Sequence, residues 1–112
     1  MTNTTSQHAM NSIFDSMLTL AIPLALTEEI CDFLLLNPQW ASGFSIVDAQ
    51  GMGQGAALQT AIEKVQGRSK RKLIMVVGEQ AQLFELVAAL GQKIKNPDVA
   101  YWVTPVHRFG RF

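Results

Sequence analysis

Two continuous apolar runs, Met17 to Pro23 (MLTLAIP) and Lys72 to Gly78 (KLIMVVG), constrain the fold of this 112-residue chain more than any other feature. A run of that length without alternation reads as a strand covered on both faces, so each belongs in the interior of a sheet. The residues after each run have helical spacing. After the first, Thr27 offers a side-chain oxygen to cap a helix, Glu28 and Glu29 put negative charge at its positive end, and Ile30, Phe33 and Leu34 form an inward stripe. Asn37-Pro38 stops it, because a residue before proline avoids the helical region. After the second run, Leu83, Val87, Leu90 and Ile94 form one stripe between Glu79 and Ile94, with Phe84 beside it and Asn96-Pro97 as the stop. Two alternating segments, Gly43 to Gln50 and Val99 to Val106, supply the remaining strands.

The resulting order is βαββαβ. With two crossover helices this is an α+β, ferredoxin-like sandwich: an antiparallel sheet, both helices on one face, and a long loop between strands two and three. The second sheet face needs a cover, which a closed homo-oligomer would supply. Composition points the same way, since 48% hydrophobic and 16% charged residues lean apolar for so small a monomer. Phe109 and Phe112 also have nothing local to bury them.

One domain is expected over residues 16–112, after a flexible leader of residues 1–15 rich in Thr, Asn, Ser and Gln, in which Ile13 and Phe14 are the candidates to pack. Nine basic and nine acidic residues cancel, so no global field recruits nucleic acid. The lone Cys31 excludes an internal disulfide framework and fits a reducing compartment. Met17 to Leu26 is too short and too interrupted to span a bilayer, and no basic signal region precedes it, so a cytoplasmic protein without membrane insertion is expected.

The connection Gly51 to Lys72 (GMGQGAALQTAIEKVQGRSKRK) is far longer than the usual hairpin loop of about 2–5 residues, so it is either functional, partly ordered by a partner, or bounded wrongly by the pattern, and the functional reading is taken first. Gly51, Gly53 and Ala56 superficially match a dinucleotide-binding turn, but the acidic residue required about 20 positions later is replaced by a basic run. The glycines read either as a bend or as an anion-binding backbone. Arg68, Lys70, Arg71 and Lys72 are either a cradle for phosphate or carboxylate groups or a charged guard on an edge strand. No catalytic set is visible, since His107 has no Cys or Asp neighbour and Ser69 has no activating context. Glu28 and Asp32, one turn apart without a histidine, read as a solvated helix face. Trp40 and Trp102 are core or interface anchors, because they are not interleaved with basic residues.

The ending Tyr101-Trp-Val-Thr-Pro-Val-His-Arg-Phe-Gly-Arg-Phe112, with Gly43-Phe44-Ser45, Gly51-Met52-Gly53 and Val65-Gln66-Gly67-Arg68, resembles a family of short PII-like bacterial proteins often encoded beside heavy-metal efflux transporters. The similarity covers roughly residues 17 to 112. More distantly the chain resembles the PII signalling proteins, trimers with a long T-loop between strands two and three and nucleotides bound between subunits. That resemblance implies a non-enzymatic regulator whose residues 51–72 contact a partner such as a transport or efflux protein. It places Gly51 and Gly53 at the loop base and Gln54 at the loop glutamine. It puts Lys72 at the end of the loop, Lys93 after the second helix and Arg111 near the phosphates of ATP or ADP. The shortened loop base GMGQG and the lack of a tyrosine in the loop depart from the PII pattern. The alternative is a metal-binding protein resembling the copper-tolerance relatives of the same fold, with His8, Cys31, Met52 and His107 as its candidate ligands. A plain interaction module without a ligand is the third reading.

Overall fold

The computed structural model describes residues 14–52 and 68–112. Strand β1 spans Ser16–Pro23, followed by a 3-10 turn over Leu24–Leu26 and helix α1 over Thr27–Leu35. Strands β2 (Ser45–Met52) and β3 (Arg68–Gly78), helix α2 (Gln80–Lys93) and strand β4 (Ala100–Pro105) complete the order. The four strands form one sheet in the order β2-β3-β1-β4, and every neighbouring pair is antiparallel. This is the expected ferredoxin-like arrangement, with the two apolar runs as its inner strands.

Burial follows strand parity. Leu18, Leu20 and Ile22 of β1 and Ile74 and Val76 of β3 are buried. They form one core with Ile30 and Leu34 of α1 and with Leu83, Leu86 and Leu90 of α2. Both helices therefore pack on one sheet face. The stripe of α2 runs through Leu86, not Phe84, which is 53% exposed. The opposite face carries Met17, Thr19 and Ala21 of β1, Leu73, Met75 and Val77 of β3, Val47 of β2 and Trp102 of β4, set side by side by the register. Val47 and Trp102 stay 43% and 45% exposed there.

Local expectations needed correction. Thr27 does not cap α1 with its oxygen as an acceptor; its hydroxyl donates to the Leu24 carbonyl (2.8 Å), because the chain enters the helix through a 3-10 turn. The ladder also extends further than the apolar pattern, from Ser45 to Met52 on β2 and back to Arg68 on β3. Backbone pairing does not require apolar side chains, so the polar ends of the connection are strand. The interruption between the two strands is accordingly residues 53–67, not 51–72.

Asp15 organises one end of the sheet. Its Oδ1 accepts from the Gln80 backbone N–H at the start of α2 (3.1 Å) and from the Ser16 hydroxyl (3.1 Å). Its carbonyl accepts from the Val106 N–H (2.9 Å), and its own N–H donates to the Gly78 carbonyl (3.2 Å). Glu79, at the N-cap position of α2, makes no side-chain cap bond, so Asp15 caps that helix from a distant part of the chain. Asp15→Ala is expected to lower unfolding stability by about 1 kcal/mol, the usual cost of losing a cap, read as a shift in the urea midpoint. An unchanged midpoint would show that water replaces the carboxylate without loss.

Candidate functional site

Strands β2 and β3 run past the end of the core beside the 3-10 turn, and there they frame a pocket of ≈ 420 Å³. Leu24, Asp48, Ala49, Gln50, Lys70, Arg71 and Lys72 line it. Cross-strand register puts Asp48 opposite Lys72, Ala49 opposite Arg71 and Gln50 opposite Lys70, so one short stretch of ladder concentrates three cations, a carboxylate and an amide. Leu24 and Ala49 add an apolar wall. Lys70 and Lys72 share one side of β3 and Arg71 takes the other, which separates their roles.

Arg71 is 9% exposed, and its guanidinium donates to the Asp98 carbonyl (2.9 Å) in the turn before β4. Part of its fork therefore ties the hairpin base to the α2–β4 connection. Lys72 forms an ion pair with Asp48, whose side chain is 86% exposed against 25% for the lysine. Cys31 of α1 is half-buried and lies close enough to Lys72 to feel its charge. Burial, then the neighbouring Asp32 carboxylate, push the Cys31 thiol above its ordinary range, and Lys72 only partly opposes them.

Of the residues singled out in the sequence, Lys70, Arg71 and Lys72 meet in this pocket. Gly51 lies just beyond it, paired with Ser69, and the backbone of Arg68 opens β3 opposite Met52. Gly53 and Gln54 lie outside the described residues, as do His8 and most of the leader. Lys93 sits in the last turn of α2, outside the pocket lining. Arg111 is far away: its guanidinium lies 5.5 Å from the Phe109 ring centre, and Phe109 packs edge-on against Phe14 (4.8 Å) at the start of β1. The pocket is at the other end, where Pro23 pairs with Arg71. Along β1 the two ends are about 23 Å apart. Of the candidate metal ligands, Cys31 and His107 fall in different parts of the fold, and among the described residues no group of three or more His, Cys, Asp or Glu side chains converges on one point.

Asp48 and Gln50 were missed as site residues because their place depends on hairpin register. A strand-alternation pattern cannot supply that register when the connection length is uncertain. Trp40 does act as an anchor: its ring stacks near Phe33 (6.5 Å between centres), and its indole N–H donates to Glu85 on α2 (3.2 Å). Among the described residues no helix is long and apolar enough to cross a membrane.

Comparison with known proteins gives the same outline. No curated protein matches the chain. Among solved structures, the crystal structure of a DUF3240 family protein from Shewanella baltica OS155 superposes with a TM-score of 0.69. It is 21% identical and the match covers 88% of this chain and 97% of that one. At that identity the likeness speaks for the fold alone. The family described as a protein of unknown function, DUF3240, matches residues 13–112, and the chain belongs to that family.

Proposed function

We propose that this protein is a non-enzymatic, PII-like cytoplasmic regulator that assembles as a trimer. A small anionic ligand of the ATP or ADP type binds at the hairpin base, and residues 51–72 contact a partner such as a transport or efflux protein. The observation that carries the reading is the convergence of Gln50, Lys70, Arg71 and Lys72 on one pocket at the root of that connection. Lysine ammonium groups and an arginine fork are the groups that recognise phosphate and carboxylate oxygens. The placement of Arg111 supports an assembly. It is about a strand length from its own pocket, so only a neighbouring chain brings an equivalent arginine to it. The apolar sheet face opposite the helices supplies the surface on which such neighbours meet.

A ligand that prefers one arrangement of the connection between β2 and β3 shifts the balance between arrangements by its difference in affinity, and so changes what the partner meets. Thermal melting with millimolar ATP, ADP and cyclic nucleotides tests the reading. A ligand at 100 times its dissociation constant adds about 2.7 kcal/mol to the folded state, a shift of about ten degrees. Limited proteolysis within residues 51–72 should slow in parallel. If neither melting nor cleavage responds to any of them, nucleotide control is ruled out.

A further inference from the structure

The Lys72–Asp48 ion pair stands inside the pocket just proposed for an anion, and that sets a condition on any ligand. An oxyanion approaching Lys72 meets a carboxylate already on the ammonium, one strand away across the β2–β3 ladder. We infer that Asp48 is a built-in competitor for the site, an internal anion that a ligand must displace and that thereby selects polyvalent oxyanions over monovalent ones. This inference rests on the anion reading of the pocket.

Three features make Asp48 suited to that role. Its side chain is 86% exposed, so once displaced it returns to water at little cost. Lys72 is the better shielded partner at 25% exposure, so its charge is held in place for whichever anion wins. Lys70 lies on the same side of β3 as Lys72 and lines the same pocket, so a ligand with several oxygens can reach a second ammonium that the single Asp48 carboxylate does not. A monovalent anion would exchange one carboxylate contact for another of similar strength and gain nothing.

Titration with inorganic pyrophosphate, followed by calorimetry in low-salt buffer, tests the assignment on the wild-type chain and on Asp48→Asn and Glu79→Gln. Removing the competing charge should tighten pyrophosphate binding about five- to tenfold, a combination of the lost exposed ion pair and relieved repulsion. Glu79→Gln changes the net charge equally but lies just beyond Gly78, which is about 20 Å along β3 from Lys72, and should bind as the wild type does. Asp48→Ser should reproduce Asp48→Asn. Equal tightening in the Glu79 variant would assign the effect to overall charge and overturn the competitor role. Wild-type binding that Asp48→Asn leaves unchanged or weakens also overturns it, while leaving the anion site standing. No binding by either chain removes both.

Discussion

Met75→Glu is expected to break the proposed trimer into single chains. Met75 lies on the inner strand β3, directly opposite Ser45 of β2 and Thr19 of β1, on the face that the helices do not cover. Around it the register places Met17, Leu73, Val77, Val47 and Trp102. Four strands about 4.8 Å apart and about six residues long give a projected surface of roughly 350 Å². That falls within the roughly 300–600 Å² of the largest apolar patch on a typical monomer, a patch that is often functional. A glutamate there would need desolvation on association with nothing to pair it, at a cost of several kcal/mol in each subunit. Sedimentation should show the wild type near three times the 12.3 kDa chain mass and the variant at one. A wild-type monomer would overturn the assembly; a variant that keeps the wild-type mass would show that another surface carries it.

Leu18→Ala should have the largest effect on the folded chain itself. Leu18 is fully buried on β1 and has Val76 of β3 and Val103 of β4 as its cross-strand neighbours. Truncation removes apolar burial and leaves a cavity between sheet and helices, together worth about 2–5 kcal/mol. Against a typical total of about 5–15 kcal/mol, such a loss lowers the urea midpoint by roughly 1–3 M. The comparison is Val47→Ala on the opposite face, where 43% of the side chain is already exposed in the single chain. In an assembly the two variants separate by concentration dependence, because destabilising an interface is offset by mass action and destabilising a core is not. Equal midpoints for Leu18→Ala and the wild type would contradict a core centred on β1.

The elements that were legible in the sequence share a property: their signals are local. Met17 to Pro23 and Leu73 to Gly78 lack the alternation of a half-exposed strand, and they became the two inner strands. Asn37-Pro38 and Asn96-Pro97 marked the helix ends closely: the helices stop at Leu35 and Lys93, two and three residues before those asparagines. The basic run ending at Lys72 was visible too, and three of its residues line the pocket.

By itself, then, the sequence determined the order of elements, the inner strands and the inward stripe of each helix, since side-chain period and proline geometry act within a few residues. Only the tertiary structure decided which groups meet. Asp15 caps a helix 65 residues away, Arg71 spends donors on the Asp98 carbonyl, and Asp48 closes on Lys72 through a register no local pattern encodes. The reason is physical: a hydrogen bond or ion pair between distant residues depends on the whole sheet being aligned, and a shift of one position would exchange every face.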